Sequence, residues 1–173
     1  MNKAIKILMF SDTFISTGFG LIAPIFAIFI KDNLVGGTII AAGLASTIFL
    51  VMKSIVQLPF SLYIDNHDTK NCWIILGAFL MSLVPFIYIF AEHIYMIYFA
   101  QVIFGIGAGF YSPAWLGIWS ANLDKNHESF EWSLYYTLAE LGTGLTAFIG
   151  ATMTETLGFT YTFGLVGILS LLG

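Results

Sequence analysis

Hydrophobic runs long enough to cross a bilayer fill almost the whole of this 173-residue chain, and that settles the solvent before any other question. A helix needs about 20 apolar residues to cross the hydrocarbon core, and a run of 18 or more with few charges reads as a span. Such runs occupy residues 5–30, 38–63, 72–91, 94–121 and 132–154, and a sixth begins at Leu157 and is cut short at Gly173. The expected fold class is an all-α membrane protein: six transmembrane helices in one domain over residues 1–173, read as a multi-pass protein of the cell (plasma or inner) membrane.

Composition excludes the water-soluble alternative. Hydrophobic residues make up 58% of the chain and charged residues 9%, where a soluble surface needs about a quarter charged. Several aromatics sit near span ends, as interfacial belts require: Trp73, Tyr95, Tyr98, Trp119, Trp132 and Tyr161. The N-terminal MNKAIKILMF resembles a secretory signal, but Ser11, Asp12 and Thr13 interrupt its apolar core and no small-residue cleavage site follows. It is read as the start of an uncleaved first span. A lone Cys72 beside three loop histidines (His67, His93, His127) allows neither a disulfide nor a metal site. No cofactor and no nucleic-acid partner is expected.

The lysines set the orientation, since the chain has no arginine. With the N-terminus inside, Lys3, Lys6, Lys70 and Lys125 face the cytoplasm and only Lys31 faces out. This asymmetry in short loops predicts both termini on the cytoplasmic side. Short connections make neighbouring helices antiparallel, and Pro24, Pro59, Pro85 and Pro113 place one potential kink in each of the first four spans.

Ionisable groups inside spans are costly and normally face protein or water. Asp12, Lys53 and Glu140 are the three here. At about 1.5 Å per residue, Asp12 and Glu140 lie roughly 10–12 Å from the inner helix ends and Lys53 roughly 15 Å. An ion pair from the second span to the first or fifth is geometrically reasonable. Ser46, Leu50, Lys53, Gln57 and Ser61 form a polar stripe at helical spacing, so that face turns from lipid. Two roles stand open: a structural ion pair of small net worth, or a charge cluster linked to a proton or a substrate. On the fourth span Gln101, Gly105, Ala108, Gly109 and Ser112 share one side, with Gly107 beside them. Small residues so spaced let helix backbones approach closely, and Gly142 and Gly150 suggest the same on the fifth.

Between the second and third spans the segment Ser61-Leu62-Tyr63-Ile64-Asp65-Asn66-His67-Asp68-Thr69-Lys70 resembles the cytoplasmic loop motif Gly-x-Leu-x-Asp-Arg-x-Gly-Arg-Arg/Lys of the major facilitator superfamily. Asp65 and Lys70 match, Ser61 replaces the glycine and Asn66 the first arginine. Gln101-Val102-Ile103-Phe104-Gly105-Ile106-Gly107-Ala108 is similar to the fourth-span motif Arg-x-x-Gln-Gly-x-Gly-Ala, with Gln101 in place of arginine. Gly142, Thr146, Ala147, Gly150 and Ala151 resemble the Gly-rich antiporter motif without its proline. Residues 53–59, 113–115 and 131–134 also look like a prokaryotic branch.

The resemblance implies one half of a transporter, the N-terminal six helices arranged as a 3+3 inverted repeat, with substrate at the midplane between halves. It implies a gating role for the motif residues Ser61, Asp65 and Lys70, Asp65 foremost. It places Asp12, Ser16, Gln101, Tyr136 and Glu140 on helices that line or flank the cavity. The function it implies is secondary active transport of a small solute by alternating access, with a small-molecule substrate, a coupled proton, the lipid bilayer, and a missing C-terminal half or second copy as partners. Alternatives are a half-transporter acting only as a dimer, or a non-transporting six-span assembly or scaffold protein. A channel lacks a filter-like loop. An enzyme lacks His-Glu-x-x-His, Gly-x-Ser-x-Gly and paired intramembrane aspartates.

Overall fold

Without water to satisfy them, backbone N–H and C=O groups in hydrocarbon must pair within their own segment, so runs of this apolarity fold as helices. The computed structural model describes residues 2–173 and has seven helices among them. They are α1 (Lys3–Ile22), α2 (Phe26–Asn33), α3 (Ile39–Asp65), α4 (Lys70–Ile89), α5 (Ile94–Asn122), α6 (Glu128–Leu157) and α7 (Phe159–Leu172). Asn2 caps α1 by accepting from the Ala4 N–H, and the Thr38 hydroxyl caps α3 through the Ala41 N–H.

The first apolar run is broken rather than kinked. α1 stops at Ile22 and α2 starts at Phe26, with Ala23, Pro24 and Ile25 between them. Pro24 has no N–H to give the Gly20 carbonyl, and its ring crowds that turn. The Ile25 N–H then bonds to Ile22 O at 3.0 Å instead of continuing the ladder to Leu21. The other three prolines stay inside α3, α4 and α5.

α5 is packed by α3 on one side and α4 on another, while α1 is packed by α6 and α7, and α4 also meets α7. Glycines set these approaches. A Cβ on Gly105 would lie 2.6 Å from Met52 Cβ and 2.8 Å from Phe49 O, and one on Gly109 would lie 2.7 Å from Val56 Cβ, all on α3. Gly107 faces α4 instead, where its virtual Cβ meets Gly77 O at 2.9 Å. On the other side, Gly150 of α6 lies directly against the Leu21 backbone of α1, and Gly142 of α6 faces the Thr17 hydroxyl. At one end Val35 and His93 form a bridge, in which Val35 N–H donates to Glu92 O and Ile94 N–H to Val35 O.

Burial is uneven. α5 buries a continuous face that includes Gln101, Gly105, Ala108, Tyr111, Trp115 and Trp119. α3 and α6, of similar length, bury little: Ala41, Ala42, Ala45 and Ile64 on the one, Glu131 and Gly150 on the other. Among the described residues, α1, α3, α4 and α5 are long and apolar enough to cross a membrane. α6 has the length, at 30 residues, but carries Glu128, Glu131, Glu140 and Glu155. α7 has the apolarity but only 14 residues, about 21 Å of helix against a core of about 30 Å.

Candidate functional site

Asp12 is a buried carboxyl group, on the face of α1 turned toward α5 and α6 and only 7% exposed. The Tyr111 hydroxyl of α5 donates to Oδ1 at 2.9 Å, and the Tyr135 hydroxyl of α6 donates to Oδ2 at 2.6 Å. Ser16, one turn along α1, donates to the same Oδ2 at 3.2 Å. Three hydroxyls from three helices thus surround one carboxylate, which a buried charge needs.

Tyr135 is held in place by its ring. Trp115 and Trp119 stack on each other at 4.8 Å and 14°, and Tyr135 lies 4.9 and 5.2 Å from the two indoles. Trp132 closes the group at 5.3 Å from Trp119. The sequence places Trp119 in an interfacial belt, yet it is fully buried. Tyr95 and Tyr161, of the same expected belt, are exposed. Below this group Glu131 is also buried, and its Oε2 accepts from the Asp124 N–H at 3.2 Å, tying the α5–α6 link to the first turn of α6.

Among the described residues Lys53 forms no ion pair with Asp12 or Glu140, the pairing that the sequence made geometrically reasonable. Asp12 is surrounded by hydroxyls, and among the described residues no lysine bonds to it. Lys53 sits on α3, where its backbone borders the Gly105 and Gly109 contacts of α5 and its side chain is half-buried. Glu140 is exposed on α6, and so is Tyr136, which stacks on Trp132 at 5.7 Å and 22°. The structure therefore brings Asp12 and Ser16 together with Tyr111 and Tyr135, and leaves Lys53 and Glu140 on separate helices. Tyr111 and Tyr135 escape the sequence reading because mid-span aromatics look like packing. The signal available was the four-residue spacing of Tyr111, Trp115 and Trp119.

Gln101 belongs to a second polar centre. It is 4% exposed, and its Nε2 donates to the hydroxyl of Tyr88, on α4, at 2.9 Å. Beside the pair is a cavity of about 350 Å³, walled by Phe19 of α1, Phe26 of α2, Phe49 of α3 and Phe104 of α5.

The loop segment between α3 and α4 is ordered by local bonds. Ser61 Oγ donates to Leu58 O, Asn66 Nδ2 to Leu62 O, and Trp73 Nε1 to the Thr69 hydroxyl. Asp65 is the last residue of α3 and exposed. Lys70 opens α4 and lays its stem over Gly117 of α5, where a Cβ would lie 3.0 Å from Cε.

The chain belongs to the Major Facilitator Superfamily, whose family model matches residues 8–173. Among curated proteins it is similar to the quinolone resistance protein NorA of Staphylococcus aureus, in strains Mu50, N315 and MRSA252. Each is 28% identical over 129 residues, covering 74% of this chain and 32% of the relative. The chain thus aligns with about a third of the length of these relatives. With its apolar helices, this family membership makes it a multi-pass membrane protein.

Proposed function

We propose that this chain is the N-terminal six-span half of a secondary transporter of the cell membrane, moving a small organic solute by alternating access. α1 and α2 together count as the first span, α6 and α7 as the fifth and sixth, and both termini lie in the cytoplasm. The observation that carries the reading is the equivalence of α1 and α5. α1 rests on α6 and α7 as α5 rests on α3 and α4, and α4 meets α7 between them. Exchanging the first three spans for the last three preserves every one of these contacts, which supports a 3+3 inverted repeat. The relatives' designation as quinolone resistance proteins supports an organic solute as cargo.

Asp12 carries the coupled proton in this reading. When ionised it is held by the three hydroxyls; when protonated it needs only one acceptor, so the change of state loosens the joint between α1, α5 and α6. The sparsely buried faces of α3 and α6, with Lys53 and Glu140 on those helices, meet the missing C-terminal half or a second copy. Asp65, at the inner end of α3, reaches that partner as a gating residue with Ser61 and Lys70. Solute flux in proteoliposomes, with and without a pH gradient, tests this. Gradient-dependent flux that disappears in Asp12→Asn is the expected result; absence of flux with the chain folded and with its partner present leaves the scaffold role standing.

A further inference from the structure

We propose that the cavity beside Gln101 binds a neutral, planar aromatic molecule carrying an amide or lactam edge. At about 350 Å³ it falls within the range of small-molecule sites, about 300–1,000 Å³. Its shape is set by rings. Phe19 and Phe49 stack on the two sides of Phe104 at 4.6 and 4.5 Å, both at 24°. Phe26 tilts onto Tyr88 at 5.6 Å on the opposite wall. The break at Pro24 makes the room, because Ile22 ends α1 at the cavity, Ala23 follows it there and Phe26 begins α2 there. Among the described residues no charged side chain lines the space, which selects a neutral occupant.

The polar end selects the functional group. Gln101 and Tyr88 are 4% and 3% exposed and, among the described residues, bond only to each other. With Gln101 Nε2 donating to the Tyr88 oxygen, the Gln101 carbonyl and the Tyr88 hydroxyl proton have no partner among the described residues. Turned the other way, the amide leaves N–H groups over instead. An unmet polar group in apolar surroundings is costly, and both orientations are completed by a second amide, which offers N–H and C=O side by side. The phenyl-lined walls accommodate a flat ring system. The inference rests on the transport reading only for the ligand being cargo; binding itself requires no flux.

The purified chain in nanodiscs, with lipid-only nanodiscs as reference, is titrated with 2-naphthamide and with 2-methylnaphthalene, which has the rings without the amide. The expected result is saturable binding of both, with the amide favoured by about tenfold or more. Gln101→Leu removes that preference while 2-methylnaphthalene binding stays within about threefold. If Gln101→Leu binds neither probe, Tyr88→Phe decides, with the preference falling severalfold. Equal binding of the two probes by the unaltered chain, a preference that survives both variants, no saturable binding, or a lipid acyl chain filling the space in native mass spectra each overturns the proposal. Loss of binding with flux of another solute intact sinks this site alone. Binding intact without flux sinks the transport reading alone.

Discussion

Asp12 and Gln101 are both polar side chains enclosed by apolar helices, and α5 reaches each of them, through Tyr111 at one and through Gln101 itself at the other. The two positions on α5 are about 15 Å apart along the axis. Their surroundings differ in completeness. Asp12 is a carboxyl group and receives three hydroxyl donors from α1, α5 and α6. Gln101 is neutral and makes one bond, to Tyr88, with part of its hydrogen-bonding capacity unused beside an open cavity. A saturated charge joins helices and can change state; an unsaturated neutral group beside empty space is suited to a ligand. Under the transport proposal, the contrast puts coupling at Asp12 and recognition at Gln101.

The largest test of that division is Asp12→Asn. The amide keeps an acceptor for Tyr111 or Tyr135 but cannot take up and release a proton. Gradient-driven flux is expected to be abolished, while exchange of labelled for unlabelled solute at equal pH continues. Loss of both to the same extent would make Asp12 a structural residue and erase the distinction between the centres. Next comes Tyr111→Phe, which removes one donor from a buried carboxylate and should lower stability by about 1.5–3 kcal/mol, the range for hydrogen bonds to charged groups. Tyr88→Phe removes a neutral bond and should cost about 0.5–1.5 kcal/mol. Reversible unfolding in detergent measures both, and equal costs would show that the two centres are alike.

The joint around Asp12 also depends on how closely α6 approaches α1. Gly150→Ala places a methyl against the Leu21 backbone, which cannot move aside, and should destabilise by about 1–3 kcal/mol. Gly144, six residues away on the same helix, has nothing within 4 Å of its virtual Cβ. Gly144→Ala should be neutral or stabilising by up to about 1 kcal/mol, from helix propensity. The same unfolding experiment reads the opposite signs.

How much of this was legible in the sequence follows from what each feature depends on. The helices were readable because apolar length in hydrocarbon leaves few alternatives, and α3, α4 and α5 lie close to their expected ranges. The division of the first span was only half visible. Pro24 announced a disturbance, but whether a helix bends or breaks depends on which donors and acceptors its neighbours leave. Asp12 stood out because a carboxylate is costly in a span. Its partners did not, since a tyrosine hydroxyl gives no hydropathy signal and charge-matching pointed to Lys53 instead. The cavity at Gln101 was invisible for a further reason: it is a space among five helices, and Tyr88 and Phe26 reach it from segments with no motif. The superfamily resemblance located Gln101 on a cavity-flanking helix but said nothing of its bond to Tyr88.

Glu140 gives the smallest effect and sharpens the comparison most narrowly. It shares α6 with Tyr135 yet is exposed, on the opposite side of the contrast from Asp12. With no buried partner to lose, Glu140→Gln should leave the unfolding free energy of the chain unchanged within about 0.5 kcal/mol. With α6 as the proposed fifth span, an exposed carboxylate on it has to meet water or a partner rather than lipid. The same substitution should therefore lower flux only when the C-terminal half or second copy is present, and by less than Asp12→Asn does. A stability loss as large as that of Tyr111→Phe would show that Glu140 is bound within this half after all, and its exposure on α6 would no longer separate it from Asp12.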